Sequence, residues 1–204
     1  MSRIGNLLPL IALFSISVLA QEIPRAEVFG GYSFIRPGSL LDRSQVRHGW
    51  NASLTIPVRK WLGITSDFDG FYKEYPERSF ADPFSNVMLM EKAKTSFHSF
   101  LVGPQFSWRR HPRITPFGQL LIGVGYNSSS KETRGPVPPL IESPSVSKIS
   151  DTGLAIAAGG GMDLKLNEKV SFRLFQADYL NDQTFGASNN FRFATGIVFR
   201  FGKK

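Results

Sequence analysis

Along most of this chain apolar and polar side chains alternate with a period of two, the spacing that sends successive residues to opposite faces of a β-strand. Residues 190–202 show it most plainly. Phe191, Phe193, Thr195, Ile197, Phe199 and Phe201 share one face, and Asn190, Arg192, Ala194, Gly196, Val198 and Arg200 share the other. Residues 48–58 repeat the pattern, with Trp50, Ala52, Leu54, Ile56 and Val58 set against Gly49, Asn51, Ser53 and Thr55. Similar stretches at residues 26–36, 61–72, 94–108, 114–127, 151–166 and 170–180 bring the predicted strands to eight.

Three irregularities stand out. Pro104 lies in the fourth stretch, where it lacks the N–H a ladder needs. In residues 170–180, Val170, Phe172 and Leu174 begin an apolar face that Gln176 and Asp178 then interrupt. Either that face stops early, or a bulge near Phe175 resets the phase and turns Arg173, Gln176 and Asp178 inward together; the bulge is the preferred reading. Gly159-Gly160-Gly161 lacks the lysine and helix of a phosphate loop, and reads instead as room for a large neighbour or a bend.

The segments between strands alternate in length. Residues 37–46, 73–93, 128–150 and 181–189 are long and polar, whereas residues 59–60, 109–113 and 167–169 are short. Successive connections of an up-and-down sheet fall at opposite ends, so the long ones share one rim. That arrangement predicts an all-β fold, an eight-stranded antiparallel up-and-down transmembrane β-barrel with four long extracellular loops and short periplasmic turns. Most stretches reach the roughly 9–11 residues a tilted membrane strand needs. Aromatic residues gather at the two expected interfaces, Trp61, Trp108, Phe172 and Phe201 toward the turns and Trp50, Tyr72, Tyr126 and Tyr179 toward the loops.

Residues 1–20 read as a cleavable secretory signal peptide, with Arg3 ahead of an apolar run and small residues at Val18-Leu19-Ala20. The remaining residues, 21–204, form a single barrel domain on this reading. Cysteine is absent, which excludes disulfides, thiolate metal sites and a lipid-anchored cysteine. The formal charge is +8. No recognition helix or stacking motif accompanies that charge, so nucleic acid is not an expected partner.

The signal segment, the eight alternating strands and the terminal Phe199-Arg200-Phe201 together resemble the small OmpA/OmpX-like outer-membrane β-barrel superfamily. Glu27-Val28-Phe29-Gly30-Gly31-Tyr32-Ser33-Phe34 is similar to its usual first strand. The resemblance spans the mature chain and implies the outer membrane of a Gram-negative-type bacterium as its location. It also implies recognition of the C-terminal strand by the barrel-assembly machinery, although here Gly202-Lys203-Lys204 follow the last aromatic.

Parity places Glu27, Asp67, Asp69, Asp163, Arg173, Asp178, Arg192 and Arg200 on the lumen face. An eight-stranded barrel is just wide enough for side chains to fill, so these charges are expected to pair and plug it, with Arg173, Arg192 and Asp178 as the central group. The expected role is structural or a surface interaction, in a monomer with outer-membrane lipids as its surroundings. A narrow pore is the alternative, and a lipid A-modifying enzyme a more distant one. No catalytic residue, metal ligand set or cofactor is expected. His98-Ser99 is the nearest approach to the histidine–serine pair of the lipid A deacylases, but adjacent residues point to opposite faces. The turns concentrate Arg59, Lys60, Arg109, Arg110, Arg113, Lys165, Lys169, Lys203 and Lys204 against Glu168, a bias suited to anionic phospholipid or an acidic wall polymer. The loops, residues 128–150 above all, are the expected place of ligand contact.

Overall fold

A computed structural model describes residues 24–38, 46–81, 88–135, 145–186 and 188–202. The expected signal segment, most of residues 37–46 and Lys203-Lys204 therefore lie outside the described residues. The strands are β1 (Ala26–Pro37), β2 (Arg47–Pro57), β3 (Leu62–Glu74), β4 (Arg78–Ala81), β5 (Met88–Ser107), β6 (Ile114–Arg134), β7 (Ser145–Lys165), β8 (Val170–Asp182) and β9 (Ser188–Phe201). Pairing runs β3-β2-β1-β9-β8-β7-β6-β5, and β3 also pairs with β5, which closes an eight-stranded antiparallel barrel. The remaining strand, β4, lies beyond the cylinder and among the described residues pairs only with β5, from Arg78↔Glu91 to Ala81↔Met88.

Alternation decides what each face carries. Leu54, Ile56, Ile64, Phe68, Leu120, Ile122 and Val124 are exposed on the outside, while Glu27, Asp67, Asp69, Arg173, Asp178 and Arg192 are buried within. A water-soluble barrel would have these faces exchanged; lipid outside and polar groups inside is the membrane arrangement. Aromatic rings pair across strands on the outer surface, Phe68 with Phe100 at 4.4 Å, Phe34 with Phe193 at 5.1 Å and Trp61 with Phe106 at 6.0 Å between centroids. Such cross-strand pairs help fix register.

Two of the three irregularities show in the register. The β8 register against β9 shifts between Arg173 and Gln176, and Leu174 and Phe175 both face outward across that bulge. Gln176 and Asp178 are thereby returned to the lumen beside Arg173. At Pro104, Cα pairing with β3 continues opposite Ile64, whereas the β5–β6 ladder runs to Val102↔Ile122 and resumes at Gln105↔Gln119. The short turns are held locally: the N–H groups of Val58 and Arg59 donate to the Leu62 carbonyl at 2.9 Å, and Asn167 Oδ1 accepts from the N–H groups of Lys169 and Val170.

Two expected loops are corrected. Within residues 73–93 the chain is strand at Lys73-Glu74, Arg78–Ala81 and residues 88–93, and within residues 128–150 it is strand at residues 128–134 and 145–150. Pairing of β6 with β7 continues without a break from Asn127↔Asp151 to Thr133↔Ser145. Polar composition alone favours irregular backbone in such segments, but the barrel has already set the register of these strands. Each added pair then costs only its own ordering, and alternating Ser, Thr, Lys, Val and Ile suit a solvated ladder.

Candidate functional site

The lumen is filled in tiers, each built from inward positions spaced two apart. At the turn end, Glu27 on β1 receives both Nη groups of Arg109, at 3.1 and 2.8 Å, and Nε of Arg200, at 3.0 Å. Glu27 and Arg200 are register partners on β1 and β9. Arg109, expected in a basic surface turn, instead folds back into the barrel mouth, and no periodicity in the sequence could have assigned it there.

One tier further in, Arg173 Nε donates to Asp163 at 2.9 Å, from neighbouring positions on β8 and β7. Its guanidinium lies 4.3 Å from the ring centroids of both Phe29 and Phe117. Those rings replace water above and below the ion without removing its charge. Arg173 Nη1 also donates to Gln176 at 2.6 Å, and Gln176 Nε2 in turn donates to Asp178 at 2.7 Å. The expected central group of Arg173, Arg192 and Asp178 is thus divided. Asp178 pairs with Arg192, Arg173 pairs with Asp163, and Gln176 bridges the two sets, because the register aligns Asp163 with Arg173 and Asp178 with Arg192.

Arg192 on β9 holds the middle of the barrel and is 0% exposed. Its Nε and Nη2 donate to Asp178 Oδ2 at 3.1 and 2.8 Å, while Nη1 donates to both Asp67 and Asp69 on β3. Every carboxylate has a further donor: Asn51 to Asp67, the N–H and hydroxyl of Ser99 to Asp69, and Gln119 to Asp178. Asn51 and Gln119 were legible as inward by parity, but not as partners of particular acids. Space for this knot comes partly from Gly159, where a Cβ would lie 2.4 Å from Asp178 Oδ1 and 2.2 Å from the Ala177 carbonyl. A separate set, Thr55, Thr65, Gln105 and Ser107, is hydrogen-bonded within the same interior.

Two positions farther toward the loops along their strands, polar residues give way to apolar ones. Phe71 follows Asp69, Leu180 follows Asp178 and Phe97 precedes Ser99, and they pack in one buried cluster with Ile35, Leu101, Leu121, Ala155 and Ala157. Beyond this layer an open recess of about 390 Å³ is lined by residues that include Arg47, Asn127, Asp182 and Asn190. Asp182 accepts from Thr184 and Asn190. The arrangement can neutralise and desolvate charge. Ser99 is buried and engaged with Asp69, whereas the His98 and Tyr72 rings meet in a T-shaped contact at 5.4 Å. Among the described residues no group of histidine, aspartate and glutamate is placed to hold a metal ion.

The eight residues expected inside are all buried, and each has a partner of opposite charge within 4 Å. Outside, Trp61, Trp108 and Phe201 are exposed at the turn end, and Trp50, Tyr72, Tyr126 and Tyr179 toward the loops.

No protein-family model matches the sequence, and no curated protein does. Solved structures do. Ail, the attachment invasion locus protein of Yersinia pestis, superposes with a TM-score of 0.52 at 16% identity, covering 86% of this chain and 96% of Ail. Ail in complex with the heparin analogue sucrose octasulfate gives a TM-score of 0.53 at the same identity and coverage. The outer membrane protein OprG of Pseudomonas aeruginosa gives 0.50 at 14% identity, covering 89% of this chain and 97% of OprG. Closed eight-strand topology, inverted faces and these superpositions agree: the chain has the fold of the OmpA/OmpX-like small outer-membrane β-barrels.

Proposed function

We propose that this chain is an outer-membrane barrel with a surface-interaction role and a lumen plugged by paired charges, rather than a pore or an enzyme. The observation that carries this reading is Arg192, without solvent exposure, bonded to three carboxylates beside a buried apolar cluster. A conducting path would have to hydrate that cluster and separate those ions, and an uncompensated buried charge costs several kcal/mol. The test is conductance of the refolded protein in planar bilayers. The reading expects no unitary openings, and reproducible channels in the wild type would replace it with the narrow-pore alternative.

The surface role is supported by the sheet that continues past the loop-side aromatics. From Tyr126, β6 runs on to Arg134, roughly 25 Å of strand at the usual rise. Its partner β7 pairs with β8 only from Ala155, and residues 183–185 lie against Asp151 and Gly153, so among the described residues 145–150 pair on one side alone. A strand edge of this kind can bind extended polypeptide through backbone hydrogen bonds. Ail is named for attachment and has been seen with a heparin analogue, but its likeness to this chain carries fold alone, and the partner class proposed rests on this chain's own strand edge. The N–H groups of Val146 and Lys148 face away from β6; replacing both residues by proline should abolish binding to extended peptide ligands on whole cells while leaving the barrel folded, read as a change of gel mobility on boiling. Unchanged binding would exclude the edge.

A further inference from the structure

The two ends of the barrel treat charge differently. On the loop side three cations are matched at short range, Lys94 with Glu74 and Lys131 with Glu91 at 2.6 Å, and Arg134 with Glu132 at 2.8 Å. At the turn end Arg59, Lys60, Arg110, Arg113, Lys165 and Lys169 surround the rim. The acids there are few among the described residues: Glu27 and Asp163 are withdrawn into the lumen on Arg109, Arg200 and Arg173, leaving Glu168 as the surface carboxylate. The rim also adjoins the apolar belt. Trp61 and Trp108 are 53% and 62% exposed, Trp61 stacks on Phe106, and the Arg110 guanidinium lies 5.0 Å from the Trp108 ring.

We infer that this rim is a docking surface for the headgroups of anionic phospholipids in the adjoining leaflet, an inference that rests on the membrane-barrel reading. Tryptophan at an interface places its ring at headgroup depth, so the Arg59-Lys60 and Arg110–Arg113 turns beside Trp61 and Trp108 sit where lipid phosphates lie. The turns are short, which keeps the cations at that depth instead of projecting them toward a distant wall polymer. Each basic residue near an anionic surface favours it on the order of fivefold, and the contribution falls as salt shortens the screening length.

The test uses the fact that the chain has three tryptophans. In W50F the remaining two, Trp61 and Trp108, both report on the turn end. The full mature protein carrying W50F is reconstituted in zwitterionic vesicles containing acyl-brominated phosphatidylglycerol or acyl-brominated phosphatidylcholine, and quenching gives the relative binding constant. The expected result is a several-fold preference for the anionic lipid that approaches unity in R59Q/K60Q/R110Q/R113Q and in high salt, with 10 mM inorganic phosphate at constant ionic strength having no effect. Equal quenching by both lipids in a protein that keeps its heat-dependent mobility shift would overturn the inference and leave the barrel intact. Displacement by inorganic phosphate would assign a free-anion site instead, and cosedimentation with wall sacculi without lipid preference would assign the polymer. Loss of the mobility shift in both vesicle types would remove the membrane reading and this inference together.

Discussion

Replacing Arg192 by methionine removes the one cation that Asp67, Asp69 and Asp178 share, while leaving a side chain of similar length in the lumen. Its bonds to those carboxylates all lie where neither ion nor carboxylate meets solvent. Taking one partner from a buried pair typically costs about 3–5 kcal/mol, because the remaining charge has neither water nor counter-ion. Three carboxylates on one guanidinium put R192M at the upper end, about 5 kcal/mol, or between three and four orders of magnitude in the folding equilibrium. With a urea slope of about 2 kcal/mol per molar, the unfolding midpoint in lipid vesicles should fall by roughly 2.5 M. The control is R192M/D67N/D69N/D178N, which removes the charges together and should recover most of the loss. A midpoint for R192M within 0.5 M of the wild type, on the order of 1 kcal/mol at that slope, would refute the idea that this knot is electrostatically closed.

Other perturbations separate the tiers. Gly159→Ala places a methyl against the Ala177 carbonyl and Asp178 and should destabilise by about 1–3 kcal/mol in the same urea assay, as overpacking does. Arg109→Ala removes two bonds to Glu27 but leaves Arg200 in place, so a smaller loss of about 2 kcal/mol is expected, measured against R200A as its counterpart. Outside the membrane, the Lys94 ammonium bonded to Glu74 holds that exposed carboxyl below the usual glutamate range. Because the folded-state value is depressed, the pair's contribution is present above the unfolded-state pKa and fades as pH falls through the folded one. A carboxyl NMR titration should show Glu74 returning upward in K94Q.

The eight barrel strands and the direction of the expected lumen charges they carry, from Glu27 to Arg200, were legible because a period of two is a local property of the backbone. Pairing was not. Which acid meets which arginine depends on register across the closed sheet, so parity could place Asp67 and Arg192 inside without showing that strands β3 and β9 bring them together. Arg173 and Asp178 illustrate the same limit, since both turn inward once the bulge is recognised, yet the ladder hands Arg173 to Asp163. Arg109 escaped because a turn has no parity to read. The extended hairpins escaped for a different reason: composition reports what a segment prefers alone, whereas residues 128–134 and 145–150 inherit their ladder from the barrel beneath them.

The position of Arg192 along the chain also bears on assembly. Its acidic partners lie on β3 and β8, and it arrives with β9, the strand that joins β8 to β1. Before that strand docks, the inner face of the sheet carries Asp67, Asp69 and Asp178 without their cation, and three such groups keep their water. A dry interior therefore requires β9 in place, because the strand that completes the cylinder also carries the charge these acids need.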